Sequence, residues 1–302
     1  VLQIFKADKT LEAIQQHHAT ALTQIPAMYS LLWRQPNYSS YDLSSLKIAA
    51  FGGQSVTSEF LMKLSKMAPW VFTGLGLTET SGFCSFIVLP SKDCLRLTNQ
   101  LGYCMRTYPF TIRAPRTPEG TAGEVLADGQ VGDICYQGPQ NFAGYYRMPE
   151  ETKAAVTSDG VLYTGDIGMF NKESGLIYVC RGRHVVKPKG YQVFPPEIEE
   201  HIMSKMGGKA SSVAIVGYPH EVFTEAMIAY VERSASSPPI KPEEVLSLCS
   251  DLTAYKRPLH AVVMEPGQMP LNRVAKVDYV TLKQDASKIV SSLRTVGQWD
   301  AK

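Results

Sequence analysis

The sequence predicts an α/β protein, with a sheet and its helices first, a β-rich part next, and a small α+β unit at the end. In the first hundred residues, amphipathic helices alternate with short apolar runs that stop at glycine loops. From about Pro109, glycines separate short β-rich runs, which is typical of antiparallel strands joined by turns. A length of 302 residues suits about two domains, and we expect them to span 1–182 and 183–302.

The predicted elements of the first domain follow from their apolar periodicity and from the residues that end them. They are a helix over 10–18, a helix that begins at Pro26, a strand over 46–51 that stops at Gly52-Gly53, a helix over 58–67, a strand over 70–72, and antiparallel strands over 123–126, 132–136 and 175–179. The sequence of strand, helix and strand indicates an α/β sheet that binds its ligands at the strand ends.

The second domain begins with a helix whose first turn contains proline and acid, as the helix dipole favours. Its predicted elements are this helix from Pro195, strands over 213–216 and 227–231, and a helix over 243–252. The mixture predicts a small α+β unit.

Composition and charge argue against several classes of function. Thirty Lys and Arg against 28 Asp and Glu leave a net charge of +2, so the charge balance does not favour nucleic acid as a partner. No transmembrane segment is expected, because the longest uncharged stretch near the start contains glutamines, histidines and proline. Six cysteines without a Cys-x-x-Cys pair indicate free thiols in a reducing compartment, and we expect a cytoplasmic protein.

One glycine-rich loop follows a predicted strand, at Thr73-Gly74-Leu75-Gly76-Leu77-Thr78-Glu79-Thr80. Glycines allow backbone amides to approach a ligand closely, and a carboxylate beside them can hold a divalent metal against phosphates. The alternative is a simple Gly-x-Gly turn followed by a solvated glutamate.

Three further segments carry candidate chemistry. Asp166 ends an apolar run and suits either ribose hydroxyls or an ordinary turn cap. The segment 181–190 contains five potentially basic residues, which indicates a phosphate or hinge site or a solvated basic loop. Lys276 lies in a loop near the chain end, where most lysines face water.

Taken in order, these segments resemble the AMP-forming acyl-CoA synthetases, the adenylate-forming family that includes aryl-CoA ligases, luciferases and peptide-synthetase adenylation domains. The segments that carry the resemblance are Gln24-Ile25-Pro26-Ala27-Met28-Tyr29, Phe51-Gly52-Gly53-Gln54, Gly74-Leu75-Gly76-Leu77-Thr78-Glu79, Tyr163-Thr164-Gly165-Asp166, the stretch from Arg181 to Glu199, and Lys276. The resemblance implies the carboxyl-terminal portion of the large AMP-binding domain followed by a small mobile domain.

The family activates a carboxylic acid with Mg-ATP to an acyl-adenylate and passes the acyl group to the thiol of coenzyme A or of a carrier protein. The resemblance makes Lys276, Glu79 and Thr78 catalytic, with Glu79 as the Mg²⁺ ligand and Arg183 as the hinge. It assigns the binding of ATP, AMP and coenzyme A to Gly52, Gly53, Gln54, Gly74, Leu75, Gly76, Asp166, Arg181, Lys187, Lys189 and Gly190. In this comparison Glu79 offsets phosphate charge, Asp166 accepts ribose hydroxyls, and Lys276 stabilises charge at the α-phosphate.

The sequence departs from the family pattern at three of these segments. Leu75 stands where the family has an aromatic residue that stacks on adenine, His184 replaces the usual acid after the hinge, and Ala275 replaces the usual glycine before Lys276. No phosphate loop rich in Ser, Thr and Gly precedes the first helix. We therefore expect the chain to be a piece that lacks the early part of the large domain and that does not turn over ATP alone. The missing portion is then an expected partner.

Two other functions stay open alongside the acid–thiol ligase. One is a peptide-synthetase adenylation domain, which the Lys189-Gly190-Tyr191-Gln192-Val193 segment fits less well. The other is a non-catalytic chain that binds an adenylate. The sequence does not identify the substrate acid: aromatic and medium-chain aliphatic acids both stay open. The acid pocket is expected to include residues around His17, His18, Met28, Phe51 and Phe83.

Overall fold

The computed structural model describes residues 4–53, 56–104, 109–272 and 276–300. Gln54, one of the expected nucleotide-binding residues, lies outside these ranges. The chain divides into two compact units, Val1–Val179 and Cys180–Lys302. None of the helices within the described ranges has the length and apolar character needed to cross a membrane.

The described part of the first unit contains four α-helices and most of the strands. The helices are α1 (Ala7–His17), α2 (Pro26–Trp33), α3 (Ser58–Leu64) and α4 (Pro149–Ala155). The strands are β1 (Ala21–Gln24), β2 (Ile48–Phe51), β3 (Trp70–Thr73), β4 (Gly76–Leu77), β5 (Gly82–Phe83), β6 (Ser85–Pro90), β7 (Gln100–Cys104), β8 (Phe110–Arg113), β9 (Val131–Tyr136), β10 (Leu162–Asn171) and β11 (Gly175–Arg181), the last of which ends in the second unit.

Nine of these strands form one sheet in the order β1-β2-β3-β6-β7-β11-β10-β9-β8. β1, β2 and β3 are parallel, and the strands from β6 onward pair in the antiparallel sense. A parallel part with crossover helices and an antiparallel part with hairpins confirm the α/β fold that the sequence predicts.

The core of the parallel part lies between α1, α2, α3 and the sheet. Tyr29 of α2 is fully buried there, and its hydroxyl oxygen lies 2.8 Å from the carbonyl oxygen of Leu22 and 2.9 Å from that of Ala50. Pro26 starts α2, where a missing amide hydrogen costs nothing because the first turn has no acceptor for it. The hydroxyl of Tyr29 thereby ties α2 to both β1 and β2.

The second unit is a three-stranded sheet with helices on both faces. Its elements are α5 (Pro195–Lys205), β12 (Ala210–His220), β13 (Thr224–Arg233), α6 (Pro242–Leu248), β14 (His260–Met264) and α7 (Tyr279–Thr295). Alternate residues of β12 enter different cores: Val213 and Ile215 pack with α5 and α6, whereas Ala214 and Val216 pack with α7. Both faces of the sheet are therefore apolar.

Several elements differ from those predicted. Residues 123–126 do not form a strand; Val125 makes only an isolated bridge to Arg113. The helices over 58–67 and 243–252 end earlier, at Leu64 and Leu248. Asp166 was predicted at the end of an apolar run and in fact lies within the ten-residue strand β10, because the pairing with β9 resumes after it.

Candidate functional site

The predicted glycine-rich loop forms a short hairpin between β3 and β6. β4 and β5 pair at Gly76↔Phe83 and Leu77↔Gly82. A Cβ atom on Gly74 would collide with the carbonyl oxygen of Ser85, and one on Gly76 would lie 2.8 Å from the carbonyl oxygen of Gly82. Both glycines are therefore needed for the close approach of the two chain segments.

A turn of 3₁₀ helix at Thr78–Thr80 closes the hairpin. The Thr80 hydroxyl accepts from the Leu77 amide at 3.1 Å and donates to the Gly82 carbonyl oxygen at 2.9 Å. Ser81 follows with φ of 53° in the left-handed region. The Thr78 side chain is exposed at this turn, and Glu79 is half-buried.

A second segment, 140–145, contacts the turn and fixes Glu79. The Phe142 amide donates to the Glu79 carbonyl oxygen at 2.8 Å, and the Ser81 hydroxyl donates to the Gln140 carbonyl oxygen at 3.2 Å. The Tyr145 hydroxyl donates to Oε1 of Glu79 at 2.6 Å. Backbone and side chain of Glu79 are thus both held by residues more than sixty positions away.

The Glu79 carboxylate fits a magnesium site in which substrate phosphates and water supply the other ligands. The described residues contain no group of three or more His, Cys, Asp or Glu side chains arranged to hold a metal. Mg²⁺ is commonly bound through one or two carboxylates together with substrate phosphates and water. One oxygen of Glu79 accepts the Tyr145 hydroxyl, and a carboxylate has acceptor capacity for a further ligand.

The predicted nucleotide turn at Gly52-Gly53 lies beside the hairpin. The Cβ position of Gly52 is 3.9 Å from Cε1 of Phe83, and Gly53 is exposed with φ of +82°. Phe83 packs edge-on against Phe72 of β3, with ring centroids 5.6 Å apart. The end of β2, the end of β3 and the hairpin therefore meet at one aromatic cluster.

The side chains of Leu75 and Phe51 both pack against apolar cores. Leu75 is half-buried and packs against the core formed by Cys84, Ile134 and their neighbours. Phe51, around which the acid pocket was expected, has a side chain that is 2% exposed and packs against Phe60. His17 and His18 are exposed on α1 and at its end.

Asp166 lies at an irregularity of the sheet. The register between β10 and β9 shifts between Tyr163 and Ile167, and Gly165 has φ of 74° there. The Asp166 side chain is buried, and its amide donates to the Thr164 hydroxyl at 3.1 Å. Bulges re-aim side chains, and this one places an acid inside a long strand.

The remaining predicted residues belong to the second unit. Arg181 and Arg183 are exposed, and the Lys187 amide donates to Oε2 of Glu225 at 2.6 Å. Lys189 has φ of 51°, its amide donates to the Phe223 carbonyl oxygen at 2.6 Å, and its ammonium lies 4.6 Å from the centroid of the Phe223 ring. The loop that ends at exposed Gly190 is therefore fixed on the turn between β12 and β13.

Lys276 lies three residues before the start of α7. Its amide donates to Oδ1 of Asn272 at 3.1 Å, and its carbonyl oxygen accepts from the Asn272 amide at 2.7 Å. Asp278 then caps α7 by accepting from the amides of Val280 and Thr281. These contacts hold the Lys276 backbone and the start of α7.

Tyr145 was not predicted from the sequence. The signal available was the Gly144-Tyr145-Tyr146 step, where two aromatic residues follow a glycine in a segment without apolar periodicity. Both rings remain exposed in the structure, with 37% of Tyr145 and 82% of Tyr146 accessible. Exposed aromatic residues in a loop are a common feature of binding sites.

The sequence is similar to curated CoA ligases and to a luciferin monooxygenase over nearly its whole length. It is 28% identical to a 4-coumarate–CoA ligase of Humulus lupulus over 280 residues, which is 92% of this chain and 50% of that protein. It is 26% identical to the luciferin 4-monooxygenase of Nipponoluciola cruciata, over 97% of this chain and 52% of that protein. The chain spans about half the length of the curated relatives it matches.

Solved structures show the same fold. ATP-bound MatB of Rhodopseudomonas palustris aligns with a TM-score of 0.76 and 26% identity, over 96% of this chain and 55% of that one. The amide bond synthetase McbA of Marinactinospora thermotolerans aligns with a TM-score of 0.76 and 25% identity, over 94% of this chain and 55% of that one. The fold is that of the adenylate-forming enzymes. Residues 2–146 match the model of the AMP-binding enzyme family.

Proposed function

We propose that this chain takes part in an acid–thiol ligase, which activates a carboxylic acid with Mg-ATP and transfers the acyl group to coenzyme A. The observation that carries the proposal is the hairpin at Gly74–Phe83, where Glu79 is held by Tyr145 beside the Gly52 turn. The similarity to CoA ligases over nearly the whole chain supports the same reaction. A carrier-protein thiol is the second acceptor to be tested.

In the proposed site the first unit binds the nucleotide and the metal. The amides of Gly52, Gly53, Gly74 and Gly76 approach the adenylate, and the Asp166 carboxylate accepts the ribose hydroxyls. Glu79 holds Mg²⁺, with Thr78 beside it on the same turn. When bound, the ion supplies positive charge that offsets the phosphates. Tyr145 restricts Glu79 to one orientation, which lowers the entropic cost of ligation.

We assign Leu75 a smaller part in this site than an aromatic residue would have. Its packing against the Cys84 core favours a role in supporting the hairpin over a role in covering the adenine. The adenine is then positioned mainly by the glycine backbone. The apolar part of the acid is proposed to contact Phe83 and Phe72, which accommodate either an aromatic or an aliphatic body.

The second unit supplies the remaining roles in this proposal. Lys276 places a positive charge at the α-phosphate as an acid oxygen attacks phosphorus and pyrophosphate departs. Arg181 assists ribose binding, and Arg183 acts as the hinge of a mobile domain that begins at residue 183. Lys187, Lys189 and Gly190 contact the thiol substrate. The six cysteines form no disulfide, which suits a reducing compartment, and we place the enzyme in the cytoplasm.

The test is acid-dependent exchange of pyrophosphate into ATP, made with the natural polypeptide that contains these residues. A panel of aromatic and medium-chain aliphatic acids identifies the substrate class. We expect Lys276→Ala to slow exchange by about 100-fold or more, and Lys288→Ala on the exposed side of α7 to have no effect. Equal rates in the two variants would remove Lys276 from the mechanism.

The same protein distinguishes the two other functions. Calorimetry with AMP and with a non-hydrolysable acyl-adenylate analogue measures binding independently of turnover. Tight binding of the analogue without any exchange would indicate an adenylate-binding protein that is not an enzyme. Exchange followed by acyl transfer to a carrier-protein thiol, but not to coenzyme A, would indicate a peptide-synthetase adenylation domain.

A further inference from the structure

The first residues of the second unit are attached to its core through a histidine. The His184 ring stacks on the Tyr279 ring, with centroids 4.1 Å apart and planes 29° apart. Nε of Arg183 donates to Nε2 of His184 at 3.3 Å. Burial, together with the charges of Arg183 and Lys283, lowers the pKa of His184 to about 4. The ring is therefore neutral near pH 7 and keeps an acceptor nitrogen for Arg183.

Tyr279 is in turn fixed by a carboxyl group. Its hydroxyl donates to Oε1 of Glu199 at 2.9 Å, and the same oxygen accepts from the Ile215 amide at 2.9 Å. Glu199 lies on α5, Ile215 on β12, and Tyr279 is the first residue of α7. One oxygen atom thus joins three elements of the second unit beneath the His184 stack.

The backbone that follows His184 is also bonded to the second unit. Val186 and Val193 exchange two backbone hydrogen bonds, at 3.0 and 2.8 Å. The Lys187 amide donates to Glu225 on β13, and Val186 packs so closely on Gly217 that a Cβ there would lie 2.7 Å from it. The segment 184–187 is therefore held to the second unit by the buried Val186 side chain and by the Lys187 amide.

We propose that Glu199, Tyr279 and His184 form a latch that fixes residues 184–187 to the second unit, so that flexing of the connecting chain is confined to 181–183. The three are positioning residues: they act on where the chain bends and touch no substrate. Their consequence for catalysis rests on the proposed function, in which the second unit reorients between adenylation and acyl transfer.

The latch itself is tested by hydrogen exchange on the 302-residue chain. We expect Tyr279→Phe, which keeps the ring and removes the hydroxyl, to speed exchange of the Val186 and Lys187 amides about 10-fold. His184→Ala is expected to do the same by removing the stack. Tyr218→Phe is the matched control, because the Tyr218 hydroxyl also bonds to α7, at Ser287, away from this segment. Exchange in 184–187 that matches the control in both latch variants would overturn the latch.

The positioning role is tested by the two half-reactions of the natural polypeptide. If a substitution only reduces the fraction of folded protein, the rates of adenylation and of acyl transfer fall by the same factor. We expect Tyr279→Phe to change the ratio of the two rates several-fold, and Tyr218→Phe to leave it unchanged. Faster exchange with an unchanged ratio would overturn the positioning role. A wild-type protein without adenylation activity would refute the proposed function, while the exchange result would still decide the latch.

Discussion

The Tyr145 hydroxyl donates a hydrogen bond of 2.6 Å to the Glu79 carboxylate, across 66 residues of sequence. The hydrogen bond to Glu79, with some burial and the negative charge, raises the pKa of Tyr145 to about 12. Glu79→Gln removes the charge, so we expect Tyr145 to ionise nearer the usual tyrosine pKa of about 10. A pH titration of ¹³C-labelled tyrosine by NMR measures the shift.

Glu150→Gln is the control for this titration. Glu150 is exposed on α4, where it pairs with Lys153 at 3.0 Å, and it has no contact with Tyr145 among the described hydrogen bonds. The Tyr145 midpoint should be the same in this variant as in the wild type. A midpoint that also stays unchanged in Glu79→Gln would show that the pair does not exist in solution.

A second prediction concerns the hairpin glycine Gly74. A Cβ atom there meets the backbone of Ser85 and lies 3.0 Å from Cα of Phe86, so an alanine must push two strands apart. We expect Gly74→Ala to lower the free energy of unfolding of the first unit by about 3 kcal/mol. Urea unfolding of the 302-residue chain, followed by hydrogen exchange in the β3 and β6 peptides, measures the loss.

Gly52→Ala provides the comparison for Gly74→Ala. The new methyl group at Gly52 would have only an ordinary contact of 3.9 Å with Phe83, and the backbone has no positive φ there. Its effect on stability should stay within about 0.5 kcal/mol. Equal stabilities of the two alanine variants would mean that the hairpin is looser than the structure shows.

A third prediction tests the tie between α2 and the sheet. Tyr29→Phe keeps the buried ring and removes the hydroxyl that hydrogen-bonds to the carbonyl oxygens of Leu22 and Ala50. Buried acceptors without a donor are costly, so we expect a loss of about 1–2 kcal/mol in the unfolding free energy. The exposed Tyr41 hydroxyl accepts from Asn37 at 3.2 Å, and Tyr41→Phe should cost much less. Equally small losses in both variants would contradict a structural role for the Tyr29 hydroxyl.

The sequence predicts those elements whose start or end is determined by residues close by in the chain. Strand β2 follows from an apolar run that stops at two glycines, and helix α5 from two prolines and an acid at its start. The failed strand over 123–126 shows the limit, since a β-rich run needs a partner along its whole length and Val125 has one at a single bridge.

Helix α7 has no predicted counterpart, although it is seventeen residues long. Its sequence is rich in Val, Thr and Ser, which have modest helix propensity, so composition gives no strong signal. The buried residues Leu282, Ala286 and Val290 recur every four positions and form the stripe that packs on β12. Periodicity would have identified this helix where propensity does not.

At the candidate site, the sequence predicts Glu79, Gly52 and Phe83, but it predicts neither Tyr145 nor the contacts among these residues. Tyr145 reaches Glu79, and Phe83 reaches Gly52, only because the chain returns to the same end of the sheet. Hydrogen bonds between residues so far apart depend on the tertiary fold, which no spacing rule contains. Motif reading therefore gives the chemistry, and the structure gives the geometry.

The last prediction follows from Glu199, whose carboxyl is enclosed between α5, β12 and α7. Burial raises the pKa of Glu199 to about 7, against the opposing hydrogen bonds from the Ile215 amide and the Tyr279 hydroxyl. The folded state therefore keeps a proton that the unfolded state releases near pH 4.5. The contribution of this group to stability is complete below that pH and is lost as pH rises to about 7, by about 3 kcal/mol in all.

Glu199→Gln keeps the acceptor oxygen and removes the ionisation, so it should remove this slope. The free energy of unfolding is measured at pH 5, 6, 7 and 8 by urea unfolding with hydrogen exchange in β12 and β13. The variant should become more stable relative to the wild type as pH rises. Glu200→Gln, on the exposed side of the same helix, should follow the wild type at every pH. If the Glu199→Gln and wild-type curves run parallel, the carboxyl is ionised in the folded state throughout this range, and the enclosed site of Glu199 is more open to water than these contacts imply.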